Sequence, residues 1–196
     1  MEEENKPKWD YTASVELAAG LTETQVWPLL EDFCNLHKWF PIDTCYQVDG
    51  VPGQPGLIRY TAATTTTTPS SGSDGHDVKV IKWAKEKLLM IDPIQRCLSY
   101  EVIDNNIGMK SYVATIKVLP INGHDNNDDH NGTNQQCLIV VDNAVAYSDH
   151  GFPCKIELSF VCDPVEGWKL EDFVAYVEYC LQFMANKMED ALLPIR

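Results

Sequence analysis

From about Val165 to Leu193, the residues Leu170, Phe173, Val174, Val177, Leu181, Met184, Met188, Ala191 and Leu192 recur at spacings of 3, 4 or 7. That spacing predicts one broad apolar stripe on a helix of roughly six or more turns, stopped by Pro194. Glu171, Glu178, Asn186, Lys187 and Asp190 lie largely off the stripe. A helix this long, apolar on one face only, needs a sheet face to bury that stripe against. A curved sheet over one helix in turn tends to leave a cavity. Aromatic and Met side chains (Tyr176, Tyr179, Phe183, Met184, Met188) either pack such a core, their commoner use, or form an adaptable ligand wall. On the second reading Phe173, Val177, Leu181 and Met184 are candidate ligand contacts.

The remainder of the chain supplies the sheet. Residues 8 to 19 alternate, with Trp9, Tyr11, Ala13, Val15 and Leu17 on one face and Asp10, Thr12, Ser14 and Glu16 on the other. Period two with a polar face predicts a half-solvated strand. In LTETQVWPLLEDF, Thr22 is a good N-cap and Val26, Leu29, Leu30 and Phe33 recur at helical spacing, with Pro28 limiting regularity. NLHKWFP reads as a second short helical turn. Strand signals follow in DTCYQVDG, GLIRYTAA, DVKVIKWAKEKLLMID, QRCLSYEVID and MKSYVATIKVL, separated by Pro- and Gly-bearing turns. CKIELSFVCD resumes the alternation, with Ile156, Leu158 and Phe160 inward. Residues 64–76 read as a low-complexity polar loop. Residues 122–153 read as an insertion, mostly polar, in which CLIVVDNAVAY is apolar enough for an extra strand. Strand, helix, helix, six strands and a long helix make an α+β helix-grip fold, expected as a single domain over 1–196.

Composition removes several classes of function. A formal net charge of −14 repels phosphate backbones and anionic lipid, so neither nucleic acid nor membrane is an expected partner. The start MEEENKPKWD has no apolar h-region and no 18 apolar residues run together, which predicts a cytoplasmic location. Seven cysteines at irregular spacing, without a C-x-x-C pair, read as reduced and mostly buried thiols. Asp125, Asn127 and Asp129 alternate as in a calcium loop, but His130 and Gln136 stand where Gly and Glu are required. With no phosphate loop, nucleophile elbow or H-E-x-x-H, no metal and no cofactor are expected.

Chemistry points to Glu86. In WAKEKLLMID parity places Ala84, Glu86, Leu88 and Met90 on one face and Trp83, Lys85 and Lys87 on the other. Two lysines belong in water, so Glu86 points inward, where a carboxylate must find a partner. A bulge would reverse the faces, turning Trp83 inward and leaving Glu86 an ordinary surface residue. Arg59, mid-strand in GLIRYTA one strand earlier, is the obvious partner. Inside a cavity the guanidinium would hold an oxyanion and the carboxylate would move a proton. The alternative is a structural cross-strand ion pair. Tyr100 and Tyr112 read as mid-strand and offer either hydroxyls or packing. His37 reads as a capping or surface residue, and Gln54-Pro55-Gly56 as turn chemistry or a loop over the pocket mouth.

The segments DFCNLHKWFP, GQPGLIRY, WAKEKLLMID, SYVATIKV and DPVEGW, in this order, resemble the plant lachrymatory-factor-synthase-like proteins. Those belong to the polyketide cyclase/lipid-transport group of the Bet v 1/START superfamily. The resemblance spans roughly 9–121 and 154–192 and leaves out 64–76 and 122–153. It implies Arg59 and Glu86 as a catalytic pair and Tyr112 as a cavity tyrosine. The family enzyme rearranges an alkenyl sulfenic acid into a thial S-oxide by moving a proton, without a cofactor. A second cavity tyrosine of that enzyme falls at Val102 here and a cavity tryptophan at Leu158, so the sulfenic acid substrate does not carry over. The leading expectation is a monomeric, cofactor-independent isomerase or cyclase acting on a small hydrophobic plant metabolite. In it Glu86 is the base, Arg59 the oxyanion holder and Tyr112 the positioning hydroxyl, with Trp83, Tyr100, Val102, Leu158 and Phe160 contacting the ligand. The other expectations are a non-catalytic carrier or receptor-like binder and a paralogue disabled by the 122–153 insertion. The Ser-Gly-Leu-Pro-Ala gate and His-Arg-Leu latch of the abscisic acid receptors are absent from the sequence.

Overall fold

The alternating N-terminal segment forms β1 (Trp9–Glu16), whose inward residues are covered and whose polar residues are exposed. The computed structural model describes residues 7–67, 78–121, 138–141, 144–147 and 153–193. A short helix α1 (Glu23–Glu31) follows, capped where Gln25 Oε1 accepts the Thr22 backbone N–H at 3.0 Å. Pro28 sits inside α1, and Val26, Trp27 and Leu30 are its buried side chains. A 3₁₀ helix, Phe33–Lys38, is the second helical turn.

The meander then runs β2 (Thr44–Asp49), β3 (Ile58–Thr67), β4 (Val78–Asp92), β5 (Cys97–Asn105) and β6 (Val113–Pro120). After a separate hairpin, β7 (Leu138–Val141) and β8 (Ala144–Tyr147), β9 (Cys154–Cys162) leads to the long helix α2 (Leu170–Leu192). The main sheet has seven antiparallel strands in the order β1-β9-β6-β5-β4-β3-β2. The late strand β9 therefore lies between the first strand and the end of the meander. It buries Ile156, Leu158 and Phe160, as the alternation requires. The fold is the α+β helix-grip arrangement.

At 23 residues α2 is about 35 Å long, enough to cross the sheet. It packs on β1 and β9, burying Phe173, Val177, Cys180, Leu181, Met184, Ala185 and Met188. Full burial of each large apolar side chain is worth about 1.5–3 kcal/mol. Two long-range hydrogen bonds fix its register: Tyr11 Oη donates to Glu178 Oε1 at 2.8 Å, and Ala18 N donates to Glu189 Oε1 at 2.7 Å.

Several expectations are corrected. Thr64–Thr67, read as polar loop, continue β3 and pair with Val78–Ile81, because β-branched threonine suits an extended strand however polar it is. The remainder of that loop, 68–77, lies outside the described residues, as do 122–137 with the calcium-like stretch. Within the apolar run 137–147, Leu138–Val141 and Ala144–Tyr147 form two short strands rather than one. Helix α2 starts at Leu170 rather than near Val165, because Gly167 has φ +80° and forms a turn ahead of it. Ala191, placed on the stripe, is exposed in the last turn. Tyr112 is not mid-strand but immediately precedes β6, where its carbonyl accepts from Val102 N at 3.0 Å. Met90 does not face inward: the β4–β5 register shifts between Leu88 and Met90, and the extra residue reverses the faces beyond Leu88.

Candidate functional site

Arg59 and Glu86 are direct cross-strand partners in the β3–β4 ladder, and both point to the inner face. Arg59 Nε donates to Glu86 Oε2 at 2.5 Å, with side-chain exposures of 4% for Arg59 and 12% for Glu86. Arg59 Nη1 donates to the Phe33 carbonyl at 2.7 Å. The guanidinium lies 3.7 Å from the Phe33 ring centroid and 5.1 Å from that of Tyr100, in desolvated cation–π contact with both rings. Burial is the largest single influence on Arg59 and lowers its pKa, but the Glu86 charge and hydrogen bond together with Tyr100 and Cys45 outweigh it, so the net shift is upward.

Beside this pair lies a cavity of about 260 Å³, closed on one side by α2 and the loop ahead of it. Glu86, Tyr100 and Tyr112 line it, with Thr61, Ala63 and Ala84 from the sheet and Leu158, Phe173 and Val177 opposite. Ile107 and Met109 come from the turn between β5 and β6, Val165 and Trp168 from the segment before α2, and Phe40 and Ile42 from the segment before β2. The Thr61 hydroxyl is engaged by the Ala84 carbonyl at 3.3 Å and the Thr65 hydroxyl by the Val80 carbonyl at 3.3 Å. Burial, then the Glu86 charge, raises the Tyr100 pKa. Burial, then Tyr100 and Glu86, raises that of Tyr112 well above the ordinary value. Both phenols therefore stay protonated across the physiological range.

Not every expected site residue meets the cavity. Arg59 does not line it. The side chain lies behind Glu86, buried and bonded to that carboxylate. Phe160 is core: it stacks on Tyr112 at 5.8 Å and meets Phe173 edge-on at 5.2 Å. Leu181 and Met184 are buried on α2 away from the cavity, and Val102, opposite Glu86 in β5, packs at the core margin. Trp83 borders the cavity, yet its ring stacks on Tyr60 at 5.9 Å on the outer face, as lysine parity requires. His37 Nδ1 is buried without a partner, and Gln54 is exposed in a turn, its carbonyl accepting from Leu57 N at 3.2 Å.

Sequence reasoning missed Phe33 as an anchor of Arg59, because a backbone carbonyl leaves no mark on composition. It also named none of the mouth residues as ligand contacts: Phe40, Met109, Val165 and Trp168 fell in segments already singled out, whereas Ile42 and Ile107 come from turns without periodicity. Among the described residues no three His, Cys, Asp or Glu side chains are grouped to hold a metal. Among the same residues the six cysteines are unpaired, five of them buried. No described helix is long and apolar enough to cross a membrane.

Residues 8–192 match the polyketide cyclase/dehydrase and lipid transport family, and the chain belongs to it. Its fold is shared by solved structures of low identity. A Thermobifida fusca protein is 16% identical, with TM-score 0.58, covering 95% of this chain and 97% of its own. The Bacillus cereus protein XoxI is 17% identical, with TM-score 0.56, covering 93% and 94%. The ginseng (Panax ginseng) major latex-like protein 151 is 14% identical, with TM-score 0.57, covering 95% and 99%. At such identity these structures speak for the fold alone.

Proposed function

We propose that the chain binds a small hydrophobic molecule in the sheet–helix cavity and moves a proton on it without a cofactor, as a lachrymatory-factor-synthase-like isomerase or cyclase. One observation carries this reading: a carboxylate, Glu86, opens onto an apolar cavity that two protonated tyrosines also line, while a buried arginine holds it from behind. Glu86 takes and returns the proton, a role worth roughly 10²–10⁴-fold in rate. Tyr100 and Tyr112 donate to the oxygen on which charge develops. Arg59 is a positioning residue, fixing the rotamer of Glu86 through the Nε bond. The bound molecule is screened from water by Trp168, Phe173 and Val177.

A second reading is favoured by one feature: Arg59 is already satisfied by Glu86 and the Phe33 carbonyl, as a purely structural ion pair would be. The protein is then a carrier. The two readings separate in one experiment. Ligands found by a thermal-shift screen of plant hydrophobes are incubated with the protein in D₂O and analysed by mass spectrometry. Catalysis incorporates deuterium or forms an isomer, and Glu86→Gln abolishes this while the protein still binds and stays folded. Binding with neither deuterium uptake nor product in the native protein would leave only the carrier.

A further inference from the structure

We infer that the cavity takes a neutral molecule of about ten non-hydrogen atoms carrying one O–H or N–H donor at its inner end, and rejects the corresponding carboxylate. The inference rests on the binding reading above and specifies its ligand. Size follows from the volume. A cavity of about 150 Å³ accepts benzene, so about 260 Å³ accommodates about ten heavy atoms, a ring with a short side chain rather than a lipid tail.

Charge follows from the lining. Its ionisable members besides tyrosine are Glu86 and Lys82. Lys82 is exposed and lies four residues along β4 from Glu86, roughly 13 Å away at strand rise, at the wet end. At the inner end Glu86 Oε2 is taken by Arg59, and among the described residues no protein donor reaches Oε1. The free valence there is an acceptor, and it asks for a donor from the ligand. A ligand carboxylate would be placed beside Glu86 without a cation of its own, because Arg59 lies behind and is engaged at Nε and Nη1. Two carboxylates in one dry site cannot both stay ionised without penalty. The remaining lining is aromatic or aliphatic, with the threonine hydroxyls already bonded to strand carbonyls. Polarity is therefore confined to one end of the ligand.

Cinnamyl alcohol and cinnamate are a matched pair of the required size, and titration calorimetry at pH 7.5 compares them. The native protein should bind the alcohol at least about tenfold more tightly than the acid, a difference that like-charge exclusion readily supplies. In Glu86→Gln, which keeps the shape but leaves Arg59 without a counter-charge, the preference should move at least about tenfold toward cinnamate. Cinnamate binding to the native protein as tightly as the alcohol overturns the inference and leaves the binding reading standing. Failure of both probes overturns the size and class assigned here, and the hydrophobe screen then shows whether the binding reading falls with it. Should Glu86→Gln not fold, the native pair decides alone.

Discussion

The Arg59–Glu86 pair makes an asymmetric prediction about stability. Arg59 is 3% exposed and cannot shed its proton, whereas Glu86 opens on the cavity, where water can reach it. Glu86→Leu therefore strands a buried guanidinium whose remaining partners are the Phe33 carbonyl and two aromatic faces. Removing one member of a buried pair costs about 3–5 kcal/mol, a large part of a domain's total stability of about 5–15 kcal/mol. Arg59→Leu leaves a carboxylate that water or a proton can satisfy, together with an orphaned Phe33 carbonyl worth about 1–3 kcal/mol, so it should cost less. Arg59→Leu/Glu86→Leu removes both charges and fills the space with apolar volume. Such replacements are often neutral or stabilising, so the double variant should lie within about 2 kcal/mol of the native protein. The assay is urea unfolding followed by tryptophan fluorescence. At a slope of about 2 kcal/mol per molar urea, Glu86→Leu should lower the midpoint by roughly 2 M and the double variant by no more than about 1 M. A double variant no more stable than Glu86→Leu would refute the account of a guanidinium sequestered from water with Glu86 as its counter-charge.

Two further outcomes separate core from cavity and fix the pH response. Met184→Ala should cost about 2–5 kcal/mol without altering ligand affinity, since Met184 is wholly buried away from the cavity, whereas Val177→Phe should abolish binding with little loss of stability; calorimetry and urea midpoints read both. Burial pushes the thiols of Cys154, Cys162 and Cys180 up to about 11 from the ordinary 9.0, so the unfolded chain ionises them first. Their stabilising contribution is complete below pH 9 and lost as pH rises through about 11; a urea midpoint equal at pH 8 and pH 10.5 would contradict this.

The fold was legible because its longest elements have strong periods. The α2 stripe and the alternation in β1 and β9 each required a buried face, and each face is where the pattern put it. The pairing of Arg59 with Glu86 was legible from the lysines, since Lys85 and Lys87 claim the wet face of β4, where they reach Asp104 and Glu101 on β5. What parity could not supply was depth. Phe160, Leu181 and Met184 face inward as expected, yet they pack against protein rather than empty space. Whether an inward side chain meets core or cavity depends on how far the sheet bends away from the helix.

Beside the site, the β4–β5 ladder loses register twice. One shift falls between Lys85 and Glu86, leaving Ile103 unpaired on β5, and the other between Leu88 and Met90, leaving Leu89 unpaired on β4. Bulges increase strand bend and twist. Glu86 and Leu88 occupy the short stretch between the two, so the carboxylate sits between two bulges. Neither Ile103 nor Leu89 is a glycine or proline, and nothing in YEVIDN or KLLMID announces an extra residue. The same irregularity turns Met90 outward, to 37% exposure, while Leu88 stays fully buried. Had β4 and β5 paired regularly, Met90 would have continued the inward row beside Leu88. The cavity's one acidic group among the described residues is thus framed by two irregularities in strand pairing that side-chain alternation alone does not encode.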